Sequence, residues 1–379
     1  MRILHVIGYF QPELGYEEYY LAREQVKQGH EVYVVTSDRI WPFKNLDLKS
    51  RQRNLGRTYI DGIYLIRLKT YFEFRDFILF KRIKKAIKEI NPDIIHVHEP
   101  RQGLYGLMVK QIGIPYVTDI HEYSLGGIKT KLEYLLFRKH FIRPVLKDSS
   151  RVLAMTKETV SFLRKVFSYS NSIYIPLGAD DERFFVSYKS REKYRSVLGV
   201  AKNEILIIFS GKITPSKGIE IIIRNVGKLL QSGYPVKLLI LGNGDSKYIE
   251  SLKKVINGNE MNKAVMFLPQ VHPSELYNYF NAADVGYWPL SPTISILEAI
   301  ACGLPIIVPN NDITGTIVKK FCGVAIDSVD HFSDLELLIQ NTQLGKYSRE
   351  KIRDYFLDKF SYKKIAKDIE NMYKEIISK

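Results

Sequence analysis

The sequence predicts an α/β protein of two doubly wound, Rossmann-like domains, and three observations carry that prediction. Short β-rich apolar runs alternate with helical stretches along the chain, the pattern of a parallel sheet covered on both faces. The alternation breaks once, in a polar and irregular stretch over 177–203, and then restarts. At 379 residues the chain is too long for one ordinary domain and suits two of moderate size. We therefore expect an N-terminal domain over 1–180 and a C-terminal domain over 181–360. A closing helix over 361–379 is expected to pack across the domain junction.

The elements are read in order. Strands are expected over 3–8, 31–36, 62–67, 93–98, 115–120, 151–154 and 172–175, each a short β-branched or aromatic run. Helical spacing fills 17–28, which stops at Gly29, and 77–90, which stops before Pro92. Beyond the break, strands are expected over 204–210, 236–241, 264–267, 284–288, 304–308 and 323–326. The stretch 362–378 is amphipathic and has no partner adjacent in sequence.

Composition narrows the function. No apolar run approaches the roughly 18 to 20 residues that span a bilayer, and the N-terminus lacks a secretory cleavage pattern. Cys302 and Cys322, the only cysteines, lie in apolar stretches without Cys or His at ligand spacing. They read as core residues of a cytoplasmic protein. The net charge of +15 concentrates toward the N-terminus, where residues 1–180 hold 29 Lys and Arg against 19 Asp and Glu. Two segments, 67–88 and 129–147, interleave cations with aromatic and aliphatic residues. On a helix that mixture suits an anionic membrane surface, although one core face and one solvated basic face would read the same way.

Four loops at strand ends carry candidate chemistry, since ligands of doubly wound sheets sit at the carboxyl ends of strands. The first, 8–15, runs from Gly8 to Gly15 with Pro12 inside it; it departs from the dinucleotide-binding spacing, which disfavours a nicotinamide cofactor. The second, Ser210-Gly-Lys-Ile-Thr-Pro-Ser-Lys-Gly218, places Lys212 and Lys217 where negative charge on a departing diphosphate could be met. In the third, Ser291-Pro-Thr293 is expected to cap a helix whose first amides, at Ile294 and Ser295, suit a phosphate. Glu298, one turn in, is surrounded by apolar neighbours and needs a partner such as a sugar diol. The fourth is a pair of histidine-bearing strand ends, at His96 and His98 and at His121.

The second and third loops, with Ile175-Pro-Leu-Gly-Ala-Asp180, resemble the retaining glycosyltransferases of family 4. The resemblance covers nearly the whole chain and is most specific over 284–308. It implies the GT-B fold, two Rossmann-like domains facing a cleft, with the acceptor on the first domain and a nucleoside-diphosphate sugar on the second. It places the basic pair on Lys212 and Lys217, the ribose-binding glutamate on Glu298 and the strand-end histidine on His121. Gly15 and Tyr16 fall on the N-terminal phosphate loop, Gly211 beside the basic loop, and Gly242 and Gly244 on the second glycine turn. The base would lie against 268–271, at Gln270 and Val271. Leu290 stands where the family carries the first of two glutamates eight apart, Tyr16 where a second glycine is usual, and Leu177 where an asparagine is usual.

Transfer with retention would proceed by front-face attack, because no side chain offers itself as nucleophile. No metal or cofactor is expected, the lysines and helix amides holding the diphosphate instead. The implied acceptor is a lipid-linked or envelope glycan at the inner face of the cell membrane, with no nucleic acid as partner. A nucleotide-sugar epimerase of the same fold, a nucleic-acid-binding module and a membrane-surface protein without catalysis are the competing readings.

Overall fold

A computed structural model describes the chain except residues 43–46, 122–138, 257, 292, 312, 328–331 and 379. Contacts divide it into two compact units, one of Met1–Gly178 with Tyr362–Lys379 and one of Ala179–Ser361.

The first unit contains β1 (Arg2–Val6), β2 (Glu31–Ser37), β3 (Gly56–Ile60), β4 (Ile63–Leu68), β5 (Thr70–Phe74), β6 (Phe77–Phe80), β7 (Ile94–Val97), β8 (Tyr116–Ile120), β9 (Arg151–Ala154) and β10 (Ser172–Tyr174). Eight of these form one sheet in the order β10-β9-β8-β7-β1-β2-β4-β3. Every neighbouring pair is parallel except β3 with β4. Ile3, Leu4, Val6, Ile94, Ile95 and Val97 are fully buried on the central strands, which is why, apart from His5 and His96, the interior of these strands is a continuous apolar run rather than an alternating one. The strand order reverses between β1 and β7, so the loops that follow them border the crevice where such sheets bind ligands.

The terminal helix Tyr362–Ile377 is built into this unit. Its Tyr362, Ile365, Ala366, Ile369, Met372 and Tyr373 share a core with Ile3, Tyr20, Leu21, Ile94 and Val117. Tyr362 stacks on Tyr20 of the helix Glu17–Lys27 with ring centroids 5.1 Å apart. Two expectations give way in this unit. The helix expected over 77–90 is strand β6 followed by a helix over Ile83–Ile90, and β5 with β6 forms a separate antiparallel hairpin. Phe77-Ile-Leu-Phe80 buries three of its four side chains as a strand, and Arg82 in the left-handed region at φ 64° breaks the chain before the helix. Strand β3 escaped the sequence reading because its residues are almost all exposed and carry no apolar alternation.

The second unit contains β11 (Ile205–Ser210), β12 (Val236–Leu241), β13 (Val265–Leu268), β14 (Val285–Tyr287), β15 (Ile306–Pro309) and β16 (Gly323–Ile326). They form an all-parallel sheet in the order β13-β12-β11-β14-β15-β16, reversing between β11 and β14. Asp284 ties the start of this sheet together. Its carboxylate accepts from Arg191 and from Arg195 (2.7 Å) of the helix Tyr188–Val197, and from the Leu206 amide at 2.8 Å.

Candidate functional site

In the second unit, glycines lay the loops that follow β11 and β12 against each other and against the segment after β14. Gly242 N–H donates to Leu268 O at 3.0 Å, Gly211 N–H to Leu241 O at 3.1 Å, and Ile213 N–H to Asn243 O at 2.9 Å. A Cβ on Gly242 would lie 1.9 Å from Gly211 O, one on Gly244 2.2 Å from Ile213 O, and one on Gly211 3.3 Å from Thr293 Cγ2. Gly242 and Gly244 thus permit a backbone approach that any side chain would block, and Gly211 fits tightly against Thr293. Lys217 Nζ donates to Ser291 O at 3.3 Å, and Ser291 Oγ to Ser216 O at 2.8 Å, stitching the basic loop to the segment after β14. Burial lowers the Lys217 pKa, whereas Lys212 is exposed. The Gln270 amide donates to Asn243 Oδ1 at 3.1 Å, which carries the turn after β12 to the neighbouring Val271.

The helix Ser295–Ala301 opens this unit's second element of interest. The expectation that Ser-Pro-Thr caps it is corrected: Ile294 occupies the cap position without a side-chain hydrogen bond. Thr293 Oγ1 is instead buried and has no partner among the described residues. The ladder begins where Ile296 N–H donates to Thr293 O at 3.2 Å, which leaves Ile294 and Ser295 ahead of it. Burial raises the Glu298 pKa to about 7, with Arg183 opposing. Leu290 is 38% exposed and lies over Gly218, where a Cβ would meet it at 2.8 Å.

In the first unit, Gly15 is left-handed at φ 65° and closes a short turn by donating to Pro12 O at 3.1 Å. A Cβ there would strike Tyr20 Oη at 2.3 Å, so both backbone and space require glycine. Tyr16, the next residue, is 42% exposed and precedes the helix Glu17–Lys27. His121, just past β8, donates its amide to Glu99 Oε1 at 2.9 Å, and its Nε2 lies 2.8 Å from Glu17 Oε1. Burial works to lower the His121 pKa, but the Glu17 and Glu99 carboxylates prevail and hold it well above the usual histidine value. Glu99 also accepts from Arg101 Nε at 2.6 Å and sits in the left-handed region at φ 43°, a strained conformation of the kind that clusters at functional sites.

Behind His121 runs a buried polar chain. Asp119 Oδ1 accepts from the Glu99 amide at 2.9 Å, and Oδ2 bonds His98 Nδ1. His98 Nε2 lies 2.8 Å from His5 Nδ1, and His5 Nε2 lies 2.7 Å from Gln25 Oε1. One proton arrangement satisfies every link: His98 donates from both nitrogens, and His5 accepts at Nδ1 and donates from Nε2. The pKa directions agree. Burial depresses both, but Asp119 raises His98 above the usual value, while His5 stays well below it. His96 stands 3.3 Å from Asp119 Oδ2 and bonds Tyr373 of the terminal helix at 2.7 Å.

Two family models match the chain in succession, Glycosyltransferase Family 4 over residues 19–183 and Glycosyl transferases group 1 over residues 190–355. The chain is a family 4, group 1 glycosyltransferase. It is 25% identical to an uncharacterized glycosyltransferase of Methanocaldococcus jannaschii, over 93% of this chain and 92% of that one. It is 24% identical to the alpha-monoglucosyldiacylglycerol synthase of Streptococcus pneumoniae, over 90% of this chain and 78% of that one. The fold matches that of Anabaena HepE in complex with UDP, with a TM-score of 0.73 at 16% identity over 99% of this chain and 100% of that one. The two Rossmann-like units are thus the halves of a GT-B glycosyltransferase.

Within this glycosyltransferase, the sequence-derived residues fall into two groups. Gly211, Lys217, Gly242, Gly244, Gln270 and Thr293 are joined by contacts in the second unit, with Lys212 on the same loop and Glu298 on the adjoining helix. Gly15, Tyr16 and His121 belong to the first unit. Sequence reasoning missed Glu17, Glu99 and Asp119, the carboxylates around His121. Asp119 and Glu99 both stand at strand ends beside the histidines, and that placement was the available signal. His5, His96 and His98 are close enough together for one ion to reach all three. Hydrogen bonds among themselves and with Gln25, Asp119 and Tyr373 already engage these rings. Of the basic-aromatic segments, 129–138 lies outside the described residues, and 67–88 is mainly hairpin rather than helix. Among the described residues no helix is long and apolar enough to cross a membrane.

Proposed function

We propose that this glycosyltransferase moves a sugar from a nucleoside-diphosphate donor to a lipid-linked or envelope-glycan acceptor, with retention, at an anionic membrane face. The observation that carries the donor reading is the second unit's strand reversal, where Lys217 and Thr293 stand on adjoining loops beside glycine-only backbone, with Glu298 on the helix that follows. Lys217 and Lys212 would balance the charge that develops on the departing diphosphate, and the buried Thr293 hydroxyl would gain the partner it lacks. Glu298, buried enough to raise its pKa to about 7, would accept from the ribose hydroxyls, with the base along Gln270 and Val271. By the family resemblance, Gly15 and Tyr16 would contact a phosphate and His121 a sugar.

The UDP held by HepE supports a nucleoside-diphosphate donor. The product named for the pneumococcal relative, an α-linked glucolipid of diacylglycerol, supports a lipid acceptor. The chemistry would need no side-chain nucleophile, the acceptor attacking the face that the diphosphate leaves. In a thermal-shift screen, one nucleoside diphosphate should raise the Tm, because a ligand that binds only the folded state stabilises it. Lys217→Ala should lower kcat by about 10²–10³-fold while the fold persists. Near-normal turnover in that variant would refute the assignment.

A further inference from the structure

The hairpin β5–β6 has no counterpart in the donor chemistry, and its surface is unusual. Tyr71, Phe72 and Phe74 on β5 are 53%, 49% and 60% exposed, and a register shift interrupts the β5–β6 pairing between Thr70 and Phe72. Beside them lies a groove of about 640 Å³ lined by Tyr71, Phe72, Phe77, Leu79, Leu104, His140 and Phe141. Phe77 and Phe141 are buried and meet edge to face at 5.5 Å, while Phe72 packs on Phe77 at 6.5 Å. Among the seven lining side chains only Tyr71 and His140 carry polar atoms, so the groove offers a polar ligand little to replace its water. An apolar chain entering it would lose water contact without that cost.

Cations stand directly over the exposed rings. Arg75 lies 5.4 Å from the Phe74 centroid and Lys81 5.7 Å from that of Tyr71. The next helix, Ile83–Ile90, turns Lys84, Lys85 and Lys88 outward while Ile83, Ala86, Ile87 and Ile90 are buried. Exposed aromatic rings with cations over and beside them match the boundary of a bilayer, where acyl chains give way to anionic headgroups. We infer that the β5–β6 hairpin inserts into an anionic leaflet and that the groove beside it takes one acyl chain of a membrane lipid. The inference rests on the proposed lipid acceptor and specifies the surface that reaches it.

The test uses the full chain with vesicles of phosphatidylglycerol or of phosphatidylcholine. Phe72→Trp should show blue-shifted emission on phosphatidylglycerol vesicles, quenched when the acyl chains are dibrominated, after subtraction of the wild-type signal from Trp41 and Trp288. The exposed-residue double variant Phe72→Ser/Phe74→Ser should lose at least tenfold in vesicle affinity while keeping its nucleoside-diphosphate thermal shift. Vesicle binding that leaves the added indole emission of the Phe72→Trp variant unshifted and unquenched, or that survives the double variant, overturns the inference while the donor reading stands. Quenching in a chain that no nucleoside diphosphate stabilises supports the insertion and removes the donor reading instead.

Discussion

Glu298 shows how burial of a single side chain can carry a cost that a nearby cation, Arg183, offsets only in part. Its ordinary pKa of 4.5 is raised to about 7 by burial, so the folded chain resists an ionisation that the unfolded chain accepts. The stability associated with this group is therefore present below pH 4.5 and lost as pH rises through about 7. Glu298→Gln should stabilise the ligand-free protein at pH 8 by on the order of 1–3 kcal/mol and leave it unchanged at pH 4. The same variant should shrink the nucleoside-diphosphate thermal shift. Equal melting of variant and wild type at pH 8 would mean that the protein itself satisfies the carboxylate. His121 shows the opposite balance: Glu17 and Glu99 outweigh its burial and keep it protonated. Its contribution is complete below the ordinary histidine pKa of 6.5 and fades only as pH climbs past its raised value.

Among the loops, the decisive contacts are between backbones. Gly242 lies so close to Gly211 O that a methyl group would overlap it, and its φ of 155° is one that side chains rarely adopt. Gly242→Ala should cost about 2 kcal/mol or more and push the loop after β12 away from the loop after β11. Denaturant unfolding with a nucleoside-diphosphate titration checks both effects, and an unperturbed variant would show that the loops can part without loss. The β5–β6 hairpin makes a different point. Its basic-aromatic composition was legible as a surface signal, but the helix assigned to it was wrong, because alternating charge and aromatic residues fit either period over so short a span.

For the whole molecule, the last helix decides how one unit is completed. Tyr362, Ile365, Ile369, Met372 and Tyr373 fill a core otherwise formed by strands and a helix from the start of the chain. Deleting 362–379 should expose that core and strip Tyr373 from His96. Hydrogen exchange should then rise across β1, β7 and β8, while β11 to β16 keep their protection. Protection of β1 and β7 equal to that of the full chain would show that the helix is dispensable.

By itself the sequence determined the alternation, and hence two parallel sheets, because strands buried on both faces must be apolar along their length. It also marked the glycine loops, since close backbone approach restricts residue type at single positions. The tertiary structure alone decided which unit receives the terminal helix, that 77–80 is strand, and that Glu17, Glu99 and Asp119 gather around His121. The placement of the terminal helix and the gathering of the carboxylates depend on partners about 20 to 340 residues away in the chain, and no local pattern encodes a partner at that distance. The stretch 77–80 pairs with the adjacent β5 and was missed because its period is ambiguous.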